Sequence, residues 1–164
     1  MNAPASRDSV YAYPRTGWIS LLNRAPRAAL MRHWQALQLD PAYDWIRKPE
    51  FGLVMLRGRV GGVGAKFNLG EATVTRCALK LRNTEPGKQE DAPVVGLGMA
   101  LGRDAERVRT AALLDALLQD AARFDDILDR VLRPLEQAVQ DGRESRAGAA
   151  AATKVEFFTM VRGG

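Results

Sequence analysis

The spacing of apolar residues changes twice along this chain, and those two changes constrain the fold more than any other feature. Apolar residues recur at three- and four-residue steps over residues 15–39, at every second residue between 43 and 81, and at helical steps again from residue 103. Helices, then strands, then helices predict an α+β domain. In it, a mostly antiparallel sheet is covered on one face by N-terminal and C-terminal helices.

Prolines and acidic residues predict where the helices of both regions begin and where they break. Pro26 suits the first turn of a helix, so the first region is predicted to form two short helices. The second region has Asp104 and Glu106 near its start, where carboxylates favour the positive end of a helix dipole. Pro134 is expected to kink or interrupt the later part, because its ring meets the carbonyl one turn back. The apolar stripe of this region is read as core: Val108, Ala111, Ala112, Leu114, Leu118, Ala121, Phe124, Ile127, Leu128, Val131, Leu132 and Leu135.

The central region predicts half-buried antiparallel strands with one face in water. Its apolar residues alternate with charged or small ones, as in Trp45, Phe51, Leu53, Met55 and Val60. Residues 83–93 have the composition of a turn, and residues 94–101 predict a further strand that is rich in glycine.

The length of 164 residues and the hydrophobic content of 46% predict a single domain with loose ends. We predict a flexible N-terminus over 1–14, one α+β domain over 15–141, and a spacer with an apolar C-terminal tail over 142–164. Residues 142–152 have no apolar period and indicate a tether or a frayed helix end. The tail either folds back onto its own domain or binds a partner subunit. Its candidate partner-binding residues are Phe157, Phe158, Met160, Val161 and Arg162.

Composition also bears on the compartment. Cys77 is the single cysteine and cannot form an intramolecular disulfide, and the first residues lack the apolar run of a signal peptide. The longest apolar stretches fall far below the roughly 20 residues that span a bilayer. A cytoplasmic protein without a membrane segment is therefore predicted.

Positive charge is concentrated in the first half of the chain. Residues 1–82 contain 13 Lys and Arg against 5 Asp and Glu, whereas residues 83–164 contain 11 against 14. Such a half suits an anionic ligand, a nucleic acid or an acidic subunit. The basic residues are scattered, and the sequence has no helix-turn-helix, zinc-finger or RNA-recognition signature, which argues against nucleic acid.

A glycine-rich segment over residues 57–67 is the best candidate for an anion site. Backbone amides beside glycines can approach a phosphate closely, and basic side chains there supply countercharge. The segment lacks the ending of a Walker A loop and is not followed by a helix, so a glycine-rich hairpin connection or bulge is the favoured alternative. The possible phosphate-binding residues are Arg59, Gly61, Gly62, Gly64 and Lys66.

No catalytic set is recognisable in the sequence. His33 is the only histidine and has no cysteine or second histidine at zinc-ligand spacing, so it is read as a surface or partly packed residue. Cys77 is read as a buried apolar filler. Asp125, Asp126 and Asp129 alternate with arginines and indicate a solvated helix face. The residues therefore predict a non-catalytic or auxiliary subunit that binds no metal or cofactor itself.

Three segments resemble the PhnG family, the G subunits of the bacterial carbon-phosphorus lyase system. The first runs from the glycines at 61–64 through Phe67 to the string Gly70-Glu71-Ala72-Thr73-Val74-Thr75-Arg76. The second is Gly102-Arg103-Asp104 before the long helix, and the third is the tail Val155-Glu156-Phe157-Phe158-Thr159-Met160-Val161-Arg162-Gly163. The similarity extends from Trp18 to Arg162.

The resemblance implies a subunit of the phosphonate-degrading core complex, assembled with the H, I and J subunits. In that complex, methylphosphonate displaces adenine from ATP and gives α-D-ribose 1-methylphosphonate 5-triphosphate, with the I subunit as main catalyst. The resemblance thus implies that ATP and the phosphonate are substrates of the assembly. The J subunit uses an iron-sulfur cluster, which the lone Cys77 could not hold. The alternative is a stand-alone anion- or nucleic-acid-binding module with no role in catalysis.

Overall fold

The computed structural model of the chain describes residues 13–60, 63–82 and 93–152, and it confirms the α+β class. A π-helical turn, Leu128–Leu132, joins the last two helices. The other elements in chain order are α1 (Arg15–Arg24), α2 (Arg27–Leu37), β1 (Tyr43–Arg59), β2 (Lys66–Leu81), β3 (Val95–Leu101), α3 (Ala105–Leu117), α4 (Ala121–Ile127) and α5 (Arg133–Ala152).

The sheet is antiparallel with the order β1-β2-β3, and its strands differ greatly in length. β1 pairs with β2 from Tyr43 opposite Leu81 to Arg59 opposite Lys66. β3 reaches only as far as Leu101, which lies opposite Val74. Residues 53–59 and 66–73 therefore form a two-stranded extension beyond the third strand. We call these residues the hairpin arm.

α3 packs directly onto the sheet, and two glycines of β3 make this close approach possible. A Cβ atom at Gly96 would lie 1.9 Å from the carbonyl oxygen of Ala112, and one at Gly98 would lie 2.0 Å from that of Val108. The glycine content of the predicted third strand thus follows from helix packing. The core on this face is small and apolar: Cys77, Leu79, Ala100, Val108, Ala112, Leu113 and Ala116.

A second core lies behind α3, where α1, α2, α4 and α5 meet. Trp18 and Phe124 are at its centre, with ring centroids 5.7 Å apart. Leu114 of α3 and Leu135 of α5 belong to the same cluster, which confirms most of the predicted apolar stripe as core. Ala121 was predicted wrongly, because it is exposed at the start of α4, and Leu128 is only partly buried. Because α3 lies between the sheet and the other helices, residues 110–118 are all buried.

One of those nine residues is charged. The Asp115 carboxylate is fully buried and accepts hydrogen bonds from Arg15 Nε (3.1 Å) and Nη2 (2.8 Å), Trp18 Nε1 (2.9 Å) and the Leu97 amide (2.9 Å). These bonds join α1, α3 and β3. Asp115 was not among the predicted key residues, although a single acid within Thr110-Ala-Ala-Leu-Leu-Asp-Ala-Leu-Leu118 is a signal that a partner is required.

The outer edge of β3 is closed by side chains. The Met99 amide donates to Asn23 Oδ1 at 3.1 Å, and the Val95 carbonyl accepts from Arg15 Nη2 at 2.8 Å and Gln119 Nε2 at 2.9 Å. With the Leu97 amide bonded to Asp115, main-chain groups that could pair with another strand are already occupied.

The prediction of half-buried strands is wrong for the far part of β1. Phe51, Leu53 and Met55 were expected on a buried face, but all three are exposed, whereas Trp45 is partly buried against the core. The cause is the length of the helix layer, which covers β3 and the neighbouring part of β2 but stops before the hairpin arm. Alternation in a sequence indicates which residues share a face, not how far that face is covered.

Pro134 interrupts the helical region as predicted, through the π-helical turn that precedes it. The Arg133 amide donates to the Leu128 carbonyl five residues back, and Pro134 then occupies the first turn of α5, where its missing N–H is not needed. α5 continues through residues 142–152, the predicted spacer, whose alanines favour a helix. Whether this segment acts as a tether stays a prediction. No helix in the described ranges is long and apolar enough to cross a membrane.

We expect Gly98→Ala to lower the free energy of unfolding by about 3 kcal/mol, because the new methyl group would overlap the α3 backbone. Gly52→Ala is the matched control, since a Cβ there meets nothing within 4 Å, and it should change stability by no more than about 0.5 kcal/mol. Urea unfolding of both variants measures the difference. Equal stability of the two variants would contradict the close packing of α3 on β3.

We also expect Asp115→Ala to destabilise the fold by roughly 3 kcal/mol, because the Trp18 and Leu97 N–H groups lose their buried acceptor. Arg15→Ala should cost a comparable amount of roughly 3 kcal/mol, because it leaves the Asp115 carboxylate buried without its counter-charge. Thermal and urea unfolding would measure both effects. A loss below about 1 kcal/mol for Asp115→Ala would contradict the central place of Asp115 in this network.

Candidate functional site

The glycine-rich segment forms the connection between β1 and β2, as the hairpin alternative predicts. Arg59 lies opposite Lys66, and Arg59 Nη1 donates to the Gly64 carbonyl at 3.3 Å. The Gly64 amide donates to the Val60 carbonyl at 2.8 Å. A Cβ atom at Gly64 would lie 2.6 Å from that carbonyl oxygen, so the turn requires glycine at this position.

Three of the five predicted phosphate-binding residues are thus brought together, namely Arg59, Gly64 and Lys66. Gly61 and Gly62 lie outside the described residues. Arg57, on the same end of β1, adds a third cation. None of the three cations takes part in an ion pair among the described residues. The cluster is exposed on the end of the arm, and phosphate binding there stays a prediction.

The hairpin arm exposes apolar side chains on both of its faces. On the face that continues the helix-covered side of the sheet, Leu53 and Met55 are 65% and 52% exposed. On the opposite face, Val54 and Leu56 are 36% and 39% exposed. Exposed apolar surface of this extent commonly marks a site of protein interaction.

The exposed apolar surface extends beyond the arm in two directions. Towards the tip lie Phe67 and Leu69, which stand beside Gly58, and the exposed Val60 and Val63. On the uncovered face of the sheet, β3 presents Leu97, Met99 and Leu101. The described part of the molecule thus concentrates its large exposed hydrophobic side chains on one sheet.

The base of the arm is fixed by charged side chains. Glu50 accepts from Arg76 Nε at 2.6 Å and from Arg47 Nη1 at 2.9 Å, and these two hydrogen bonds, from Arg76 first and then Arg47, lower the pKa of Glu50. The guanidinium of Arg103 lies 5.4 Å from the centre of the Phe51 ring. These contacts hold the point at which the sheet narrows to two strands.

Thr75 connects the same region to α3. Its buried hydroxyl donates to the Gly102 carbonyl at 2.6 Å and accepts from the Asp104 amide at 3.0 Å. Asp104 caps α3 by accepting from the Arg107 amide at 3.0 Å, which confirms its predicted place at the start of that helix. Two separate segments on which the family resemblance rests, those around Thr75 and Gly102, therefore meet in one hydrogen-bonded corner.

A second surface feature is an open groove between α1 and α5. Arg24, Arg133 and Arg143 line it together with Glu136. The Tyr13 hydroxyl donates to Glu136 Oε1 at 2.5 Å, and burial together with this hydrogen bond raises the pKa of Tyr13. The groove is open and lined by charged and polar side chains, so its chemistry is that of a polar surface.

The other residues considered for chemistry have structural surroundings. The Cys77 thiol is buried 3.3 Å from the Val108 carbonyl, and burial raises its pKa to about 11, which confirms an inert filler. His33 is half-buried as predicted. Burial and the nearby Arg32 lower its pKa, and a hydrogen bond with the Arg130 backbone offsets part of this lowering.

The acidic residues of α4 and the π-helical turn form the predicted solvated face. Asp126 pairs with Arg130 at 3.2 Å and Asp129 with Arg133 at 2.9 Å, both at helical spacing, and Asp125 is exposed. Within the described ranges no group of three or more His, Cys, Asp or Glu could hold a metal ion. The predicted partner-binding residues Phe157, Phe158, Met160, Val161 and Arg162 lie outside the described part of the chain.

Comparison with known proteins decides the family. A profile described as phosphonate metabolism protein PhnG matches residues 13–163, which include every element of the fold. The chain belongs to this family. A relative from Rhizobium meliloti (strain 1021), the alpha-D-ribose 1-methylphosphonate 5-triphosphate synthase subunit PhnG, is 41% identical over 164 residues. The match covers 99% of this chain and 98% of the relative. The resemblance drawn from the three sequence segments is confirmed.

Proposed function

We propose that this chain is a subunit of the complex that forms α-D-ribose 1-methylphosphonate 5-triphosphate from ATP and methylphosphonate, with loss of adenine, during phosphonate degradation. The observation that carries the proposal is the 41% identity to a subunit of that synthase over nearly the whole of both chains. The comparisons give no support to a stand-alone anion- or nucleic-acid-binding module.

The role that we propose within the complex is auxiliary. The partners are the H, I and J subunits of the carbon-phosphorus lyase system, and ATP is a substrate of the assembly and not a cofactor of this chain. The buried polar side chains with well-defined geometry here serve the fold, as Asp115 and Thr75 illustrate. A cytoplasmic location agrees with this role and stays a prediction.

The exposed hairpin arm supports a function in assembly. A lone domain has no advantage from apolar side chains on both faces of a two-stranded extension, because each costs free energy in water. A subunit gains from the same side chains when a neighbour buries them.

We expect this chain, expressed with an affinity tag beside the H, I and J subunits, to retain them during purification. The complete assembly should release adenine from ATP and methylphosphonate, and omission of this chain should reduce the rate at least tenfold. Chromatographic detection of adenine measures the reaction. An assembly that forms and reacts equally well without this chain would contradict the proposal.

The same system tests the predicted tail. A chain that lacks residues 153–164 should keep its far-ultraviolet circular dichroism spectrum, because the buried residues of both described cores lie within residues 18–135. If the tail binds a partner, the truncated chain should no longer retain the other subunits. Normal retention would remove the tail, but not the chain, from the interface.

A second candidate role concerns the nucleotide. Arg59 and Lys66 lie opposite each other at the end of the arm with Arg57 close by, and such a cation cluster suits a triphosphate. We expect the double variant Arg59→Ala and Lys66→Ala to weaken ATP binding by the assembled complex about tenfold. The matched control is Arg143→Ala with Arg146→Ala, two exposed cations of α5. Unchanged affinity in the arm variant would exclude this contact.

A further inference from the structure

We propose that the hairpin arm docks into an apolar cleft of another synthase subunit, which covers both faces of the arm and presents carboxylates to the cations at its tip. This inference rests on the proposed function and adds to it the surface and the chemistry of the partner. The arm consists of residues 53–59 and 66–73, as defined above.

The arm lacks the third strand or packed helix that a ribbon of this kind needs. It has two strands, whereas an isolated two-stranded ribbon is at best marginally stable in water and normally needs a third strand or a packed helix. Here β3 ends at Leu101 and the helix layer ends with it. Both apolar pairs, Leu53 with Met55 and Val54 with Leu56, are left in solvent.

Both faces of the arm carry exposed apolar side chains that a partner has to cover. A flat partner surface could bury only one of the two apolar pairs. A cleft buries both at once, and it also accommodates Phe67 and Leu69 near the tip, where an aromatic side chain can act as an anchor. The geometry therefore favours insertion over simple contact with one face.

The positive charge of the arm indicates the chemistry of its partner. The arm carries Arg57, Arg59 and Lys66 against a single acid, Glu71. Two copies of the arm packed together would bring like charges into contact, which opposes self-association. A different subunit with carboxylates at the end of its cleft is the better complement, and it would take the place of the ATP contact considered above for Arg59 and Lys66.

Contacts at the base of the arm fix its orientation in the unbound chain. Glu50 is bound by Arg47 and Arg76 at the base, Arg103 lies over Phe51, and Thr75 ties β2 to the start of α3. The direction of the arm is thus set before docking. Less conformational entropy is lost on binding when the docking element is already positioned.

The apolar part is tested with the double variant Leu53→Ser and Met55→Ser in the full-length chain. Both residues are exposed, so the melting temperature should stay close to that of the wild type. Affinity for the co-purified H, I and J subunits, measured by calorimetry without nucleotide, should fall at least tenfold. The matched control is Leu97→Ser with Met99→Ser, two side chains that are 45% and 47% exposed on β3, outside the arm. It should bind within threefold of the wild type.

The charged part is tested with Arg57→Glu and Lys66→Glu against the control pair Arg143→Glu and Arg146→Glu on α5. The arm variant should associate more slowly, and added salt should no longer slow its association, since the substitutions turn attraction to carboxylates into repulsion. The control should keep both. Trypsin provides a readout without substitutions: cleavage after Arg57, Arg59 and Lys66 should occur in the isolated chain and be blocked in the complex.

The outcomes separate the two proposals. If the wild-type chain does not bind the other subunits at all, the proposed function fails. If the wild type binds but both arm variants bind equally well and the tip is cleaved in the complex, docking by the arm is overturned and the proposed function stands. Equal loss in the β3 control would overturn an interface confined to the arm, because Leu97 and Met99 lie outside the arm and on the other face of the sheet from Leu53 and Met55. A wild-type dimer that the Leu53 and Met55 substitutions abolish would show that a second copy occupies the arm.

Discussion

A single buried carboxylate determines how the layers of this protein fit together. Asp115 of α3 lies within the most buried stretch of the chain, and four N–H donors from two other elements, α1 and β3, converge on it. Such a group is costly to bury unless its hydrogen-bonding capacity is used, and here it is used in full. The direction of α1 across the edge of β3 follows from this requirement, because Arg15 and Trp18 must both reach the same side chain. The bond to the Leu97 amide also closes the edge of the sheet.

The outer edge of β3 is covered by side chains of the same chain, whereas the hairpin arm is left uncovered. Side chains of α1 and α3 bond main-chain groups of β3, and the glycines of β3 allow α3 to pack directly on the strand. The arm extends past this protected zone with apolar residues on both faces. The protein thus combines a self-sufficient helical body with an extension that is suited to a larger assembly.

The sequence predicts the local features well and the distant ones poorly. The break at Pro26, the cap at Asp104 and the hairpin at Gly64 depend on neighbouring residues, so composition and spacing reveal them. The partners of Asp115 lie 97 and 100 residues away at Trp18 and Arg15, and no periodicity connects them. The exposure of Leu53 has a similar origin, because the extent of cover is decided by where α3 begins and β3 ends. For the candidate site, the sequence shows the cations. Only the pairing of β1 with β2 shows that both faces of the arm below them are apolar.

The widened turn before Pro134 fixes the rotational phase of everything that follows. An α-helix advances about 100° per residue, so one residue added to a regular helix rotates everything after it by that angle. The π-helical turn, whose hydrogen bond spans five residues and not four, takes up one such extra residue within a single turn. Leu135 therefore stays completely buried, beside Phe124 and Leu132. A second residue inserted at this junction would turn a polar flank of α5 towards the core, whereas an insertion in the C-terminal turns of α5 would leave that core unchanged.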